Sequence, residues 1–415
     1  MRAAWRGTAA KLAGIAVLVS APFAAGALSR GIFAAGLALA MAFAVAALVR
    51  RSQFAAHATL VVVSLALGIA VFDLALRALG FGPPAIIGPW PAMPLVNRFA
   101  ANLDIELLDQ DLARMSGRPA PAVPTHHIVT DGAGFRNAPS APRDGLDVIV
   151  LGDSFGAGAV GHDETLRAFL QREHGMKALD LSTPASSPWQ EYTNFRLELP
   201  TIGTRKGAVL AWLLFGGNDL EETYGPLEPE ALPWTGPRQW LQRWRSWRAR
   251  SPILNLTGRP GPSSDVATHS LDGKPILFYR PYIANARRDL ATVTAQPNFP
   301  ALRATFSRLV ALARSRDIVP VVFVIPAKEE VYEWVHRGSA PWSSSTAPSG
   351  FAQAIARMCD EEKVACQDLK PALVEESRRS HESSGELLYW REDTHLNARG
   401  NRFIASRMRQ FFGPR

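Results

Sequence analysis

The sequence predicts an α/β protein, a parallel sheet covered by helices on both faces, preceded by a membrane region of about three helices. Three observations carry that expectation. Short β-branched runs alternate with helical patterns from Asp147 onward, long apolar runs fill the first 80 residues, and the composition changes near Pro83-Pro84. At roughly 100–200 residues per domain, the 415-residue chain holds two or three units and a sizeable core.

The run 12–28 is apolar apart from Ser20 and follows Arg2, Arg6 and Lys11; further runs span 31–48 and 58–76. Each is close to the ~20 residues that cross a bilayer. Arg50 and Arg51 follow the second run, whereas the first connection carries only Arg30. The positive-inside rule therefore puts the amino terminus and second loop in the cytoplasm and all that follows the third run outside. The expectation is a multi-pass protein of a bacterial inner membrane, with the bilayer as partner and a periplasmic or otherwise extracytoplasmic carboxyl domain. Small residues at 24–27 also fit a cleaved signal peptide, which leaves that side unchanged. Asp73, near the outer end of the third run and four residues before Arg77, fits an interfacial helix pair better than a proton pathway.

Residues 81–140 read as a linker and N-terminal extension, and 141–415 as the soluble domain. Strand patterns fall at 147–151, 178–181, 208–215, 318–325 and 364–368, with helical patterns at 164–173, 301–316 and 351–362. In a parallel sheet of this kind, ligands gather at the carboxyl ends of the strands. The alternation breaks over about 226–288, which reads as an insertion or lid. Its segment 238–250 places Trp240, Trp244 and Trp247 on one helical face among arginines. An amphipathic helix packed on the domain is the first reading; a membrane-surface helix or a glycan-stacking wall is the alternative. No repeat of 20–50 residues is present, so solenoids and propellers are set aside.

The net charge of +8 comes from scattered arginines without a nucleic-acid motif, so nucleic acid is excluded as a partner. Anionic head groups, anionic glycans or plain solubility account for it instead. With Cys359 and Cys366 the only cysteines, a disulfide scaffold and a cysteine zinc site are excluded. A single bridge and two thiols both stay open.

Three blocks carry chemistry. Gly152-Asp153-Ser154-Phe155-Gly156-Ala157-Gly158 ends the first soluble strand, where a serine among glycines exposes its hydroxyl near backbone N–H groups that can face an oxyanion. Gly216-Gly217-Asn218-Asp219 follows the third strand of the pattern and brings an amide donor to the same edge. Glu392-Asp393-Thr394-His395-Leu396-Asn397 offers a base with an acid two or three residues before it, ahead of the last helix. Singly, each block also fits a plain turn or cap; their joint order is what points to catalysis.

In that order the blocks resemble the SGNH (GDSL-type) hydrolase superfamily over about residues 140–415. Ser154, Asn218 and His395 match the family's serine, asparagine and histidine. The family's glycine falls on Ala185 within Asp180-Leu181-Ser182-Thr183-Pro184-Ala185. Because the family uses that residue's backbone N–H, alanine fits there if its φ is negative. Asp131-Gly132-Ala133-Gly134-Phe135-Arg136-Asn137 and Pro326-Ala327-Lys328-Glu329-Glu330-Val331-Tyr332 resemble the membrane-associated branch that includes alginate O-acetylation proteins.

The resemblance implies a flavodoxin-like three-layer α/β/α domain. It also implies an acyl-enzyme on Ser154, with His395 as base and an oxyanion hole of Ser154, Ala185 and Asn218. Asp393 is the expected acid, because that branch places an aspartate two before the histidine; Glu392 is its alternative. Gly217 and Lys328 are candidate substrate contacts. No metal or organic cofactor is required. An O-acylated cell-envelope or exported glycan is the expected substrate, with envelope glycan-assembly proteins as partners. Lipid or small-ester hydrolysis, and an idle glycan-binding module on the same scaffold, are the alternatives.

Overall fold

A computed structural model of the chain describes residues 86–90, 93–107, 111–117, 125–222, 224–227 and 263–413, with a helical stretch at 71–76 and a few residues beside it. The chain divides into two compact units, Met1–Ala85 with Gly236–Pro260, and Ile86–Thr235 with Gly261–Arg415. The apolar runs 12–28 and 31–48, most of 58–76, and the tryptophan segment 238–250 lie outside the described residues. Among the described residues, no helix is long and apolar enough to cross a membrane. Asp73 is buried within the stretch 71–76.

In the second unit the β-branched runs become β1 (Leu146–Leu151), β2 (Ala178–Asp180), β3 (Thr204–Phe215), β4 (Val319–Ile325) and β5 (Ala365–Asp368). Every pairing among them is parallel, in the order β2-β1-β3-β4-β5. This is the doubly wound order whose direction switches between β1 and β3, where a crevice opens at the carboxyl edge. The accompanying helices are α1 (Leu166–His174), α2 (Pro188–Glu198), α3 (Phe299–Arg314), α4 (Gly350–Glu362), α5 (Lys370–Ser384) and α6 (Ala398–Phe411).

The period of two along each strand divides the core. Val148, Val150, Ala211, Leu213, Val321 and Phe323 pack with Phe169 of α1, Leu373 of α5, and Ile404 and Met408 of α6. Their neighbours Ile149, Leu151, Trp212, Leu214, Val322 and Val324 pack with Phe195 of α2, Phe306 and Leu309 of α3, and Ile355 of α4. The result is a three-layer sandwich.

Helix α2 has no counterpart in the sequence reading. Nearly all its residues are buried, so it lacks the polar face that would mark a helical period. Its start is nevertheless encoded, since Ser187 caps it, Gln190 completes a capping box and Pro188 takes the first position. Helix α5 escapes for the opposite reason: it is charge-rich and buries only a narrow stripe.

Residues 81–140, read as linker and extension, hold two antiparallel strand pairs, Ile87–Trp90 with Met93–Phe99 and Asp104–Leu107 with His126–Val129, and the helix Asp111–Ser116 between the strands of the second pair. Buried Arg98 ties this region to α2, donating to Asn194 at 2.8 Å and Glu198 at 2.6 Å. The described part of the stretch 226–288 is a hairpin, Val266–Leu271 with Lys274–Tyr279, followed by the helix Arg280–Ala286. Cys359 and Cys366 are free thiols, the first buried in α4 and the second on β5.

Candidate active site

Ser154 stands where β1 ends. Asp153 caps the short helix Ser154–Ala157, its Oδ1 accepting the Phe155 N–H at 2.8 Å. A Cβ on Gly156 would lie 2.1 Å from Ser182 Oγ, so only glycine lets this turn settle against the one after β2. From behind, fully buried Arg136 donates to the carbonyls of Ala157, Gly158 and Val160, supplying donors that the helix end lacks. Asn137 binds Asp131 and both backbone groups of Asp180. The 131–137 stretch is thus the buttress of the serine turn.

After β3, the Asp219 carboxylate accepts the Phe215 N–H at 2.7 Å and closes the Gly-Gly-Asn-Asp turn. Gly217, expected to touch substrate, is buried, and its carbonyl accepts from Asn285 at 2.6 Å. A Cβ there would lie 2.2 Å from the Phe215 ring, so its role is to form the turn. Asn218 is half-buried, one amide hydrogen directed to Glu222 at 3.3 Å. Ala185 departs from the expected backbone: its φ is +54°, the left-handed region, not a negative value. The turn after β2 imposes this, with Ser186 Oγ bound to the Thr183 carbonyl at 2.7 Å.

The last block lies ahead of α6, whose first turn is capped by Asn397. His395 Nε2 lies 2.7 Å from Ser154 Oγ, and its Nδ1 lies 2.5 Å from Asp393 Oδ1. The aspartate also accepts the His395 N–H at 2.8 Å, so one carboxylate oxygen sets ring and backbone together. Glu392 makes no hydrogen bond to the ring and is half-buried. Phe155 leans on the imidazole, ring centres 5.0 Å apart.

Burial opposes charge on His395, but Asp393, by charge and hydrogen bond, and then Asp111 and Asp153 outweigh it and raise the imidazole to about 9. Burial also pushes Asp393 up, yet the imidazolium and the N–H donors hold it below the usual carboxylate range. Asp153 is raised to about 6, by burial first.

Lys328, expected as a substrate contact, is fully buried. Its Nζ donates to the carbonyls of Trp390, Arg391 and Asp393, the last at 2.6 Å. It staples the histidine loop and presents no charge to a ligand. Asp111 also reaches this loop, a contact across 282 positions that no local pattern announces. Asp111, Asp393 and His395 are close enough to suggest a cation site. Their ligand atoms are already engaged with Thr394, Ser154 and one another, which makes the group a hydrogen-bond network.

Chemically, this arrangement pairs a hydroxyl with an oriented base beside an amide donor, at the switch point of the sheet. No family model and no curated protein matches the chain. Among solved structures, it is similar to the acetyl xylan esterase AlAXEase, at 13% identity and TM-score 0.34 over 63% of this chain and 98% of that one. It is also similar to a candidate lipolytic protein of the G-D-S-L family from Desulfitobacterium hafniense, at 11% identity and TM-score 0.32 over 64% and 98%. A candidate acylhydrolase from Bacteroides fragilis gives 12% identity and TM-score 0.32 over 66% and 91%. At TM-scores this low, the case for any chemistry rests on the chain's own atoms.

Proposed function

We propose that this chain is a serine ester hydrolase or O-acyltransferase of the SGNH type, anchored in a bacterial inner membrane and acting outside the cytoplasm on an O-acylated envelope or exported glycan. The observation that carries the chemistry is the 2.7 Å approach of His395 Nε2 to Ser154 Oγ, with Asp393 on the other ring nitrogen.

His395 takes the hydroxyl proton as Ser154 Oγ attacks the ester carbonyl carbon. The oxyanion lies beside the Ser154 N–H and the Asn218 amide, with the N–H of Ala185, whose φ is +54° and not negative, as the third donor that the resemblance implies. The imidazolium then protonates the departing alkoxide, which leaves an acyl-serine. Water or a sugar hydroxyl, deprotonated by the same imidazole, attacks the acyl carbon, the bond to Ser154 Oγ breaks, and the imidazolium returns its proton to that oxygen. Hydrolase and transferase share every step but the identity of that last nucleophile. The glycan and the membrane anchor are supported by the apolar runs, the arginine asymmetry and the resemblance of two sequence stretches to an O-acetylation branch. Envelope glycan-assembly proteins are the partners that reading expects.

A fluorophosphonate probe should label the full-length protein and fail to label Ser154→Ala. That variant should stay folded and lose turnover of an aryl acetate by a factor on the order of 10⁶. Turnover at the wild-type rate would remove Ser154 as nucleophile. Fatty-acid release from phospholipid faster than acetate release from an acetylated glycan would replace the glycan by lipid.

A further inference from the structure

A second carboxylate meets the histidine loop from the extension. Asp111 opens the helix Asp111–Ser116, and its backbone N–H donates to Asp393 Oδ2 at 2.9 Å. Its own Oδ1 accepts the Thr394 N–H at 3.0 Å, and its Oδ2 accepts the Thr394 hydroxyl. Two residues further, the Ala113 N–H donates to the Glu392 carbonyl at 3.0 Å. Residues 392, 393 and 394 are each gripped by one short segment, and the Thr394 hydroxyl so held lies 3.3 Å from His395 Nδ1.

We propose that Asp111 is a positioning residue for the Asp393–His395 pair, which makes the extension a working part of the active site. This rests on the serine-hydrolase reading.

With Asp393 Oδ2 taken by the Asp111 N–H, Oδ1 has one direction left, toward the imidazole. The Asp111 side chain locks the following residue, so the loop cannot swing the carboxylate away. Its charge also favours the imidazolium that forms as Ser154 attacks. The titratable groups around His395 are Asp393 on its own loop, Asp111 on the extension and Asp153 beneath the serine. Around Asp111 they are Asp393, His395 and Lys328, and more weakly Glu329, Tyr279 and Tyr282. Burial first, then the Asp393 charge, raises Asp111 to about 6, so above that pH it is ionised and helps to hold the His395 proton.

The test is Asp111→Asn in the full chain, which keeps the backbone N–H and the shape and removes the charge. For an aryl acetate, kcat should fall about ten- to a hundredfold, less than the ~10⁴ of losing a direct orienter. KM should stay within about twofold. Without the negative charge the imidazolium is less favoured, so the acid limb of kcat/KM should move to lower pH by about 1 unit. The His395 imidazole, titrated by NMR, should move with it. A folded Asp111→Asn protein with wild-type kcat and an unmoved limb overturns the proposal.

If Asp111→Asn does not fold, Thr394→Ser and Thr394→Val decide. The serine keeps the hydroxyl and should keep kcat; the valine loses it and should lose kcat. Equal kcat in the two also overturns the proposal. The NMR titration needs no turnover: a wild-type protein inert toward esters, whose His395 pKa still falls in Asp111→Asn, would refute the hydrolase reading and leave the positioning role standing.

Discussion

Ala185 holds a conformation that its side chain opposes. At φ +54° its Cβ crowds the following carbonyl, a cost of roughly 1–2 kcal/mol that glycine would not bear. Glycine loses roughly 0.5–1 kcal/mol of that gain to the entropy of the unfolded chain. Ala185→Gly is therefore expected to raise stability slightly, by about 0.5–1 kcal/mol in urea unfolding, and to keep aryl-acetate turnover. A clear loss of stability would mean that the turn depends on the methyl group. Family resemblance pointed to this position; the sign of φ did not follow from sequence, because it is set by Ser186 and Thr183 folding the turn back on itself. The choice between Asp393 and Glu392 is of the same kind. Both acids were visible near the histidine, and resemblance alone favoured Asp393; its Oδ1 is the carboxylate oxygen that lies 2.5 Å from the ring nitrogen.

At the scale of elements, legibility followed amphipathicity. Helices α3 and α4 repeat in a way that a one-dimensional pattern shows, whereas buried α2 and polar α5 do not; the sheet strands, buried on both faces, are legible instead as unbroken apolar runs. The strands of the extension are four to seven residues long, too short for a period to emerge. The serine and histidine turns were legible because their chemistry is local, and the supports from Arg136, Lys328 and Asp111 were not, because each spans the fold. Lys328 shows what such a support does. Burial lowers its pKa, nearby acids counter this, and the ammonium answers three carbonyls of the loop that carries His395. Lys328→Met should strip the Trp390 and Asp393 carbonyls of the ammonium, while Arg391 keeps the Leu277 N–H at 2.8 Å, and cost roughly 1–3 kcal/mol for each carbonyl left dry. We expect a lower unfolding midpoint together with a lower kcat. A raised KM with unchanged kcat and stability would instead restore Lys328 as a substrate contact.

At the scale of the second unit, a group of buried acids lies beneath the serine and asparagine turns. Asp153, Glu191 and Asp219 are buried, and each keeps one carboxyl oxygen without a hydrogen-bond partner among the described residues. Burial first, then the charge of its neighbours, raises Glu191 and Asp219 well above the ordinary carboxylate range. Unfolded carboxyls titrate near ~4, so between that value and the raised ones the native state binds more protons than the unfolded chain. Stability from this group is therefore full below about pH 4 and is lost as pH rises through the native values. The His395 contribution runs the same way, present below the unfolded histidine value and lost as pH passes about 9. Asp393 runs oppositely, its contribution lost as pH falls. Glu191→Gln isolates the first effect. An amide oxygen can still accept the Trp212 indole N–H, now at 2.6 Å from Glu191, while no proton remains to be lost. The variant should unfold at a higher temperature than wild type near pH ~8.5 and show little or no gain near pH ~5. Thermal unfolding at the two pH values decides it: an equal shift at both, or a loss confined to the alkaline side, would mean that Glu191 is ionised in the native state and that another group carries the alkaline weakness.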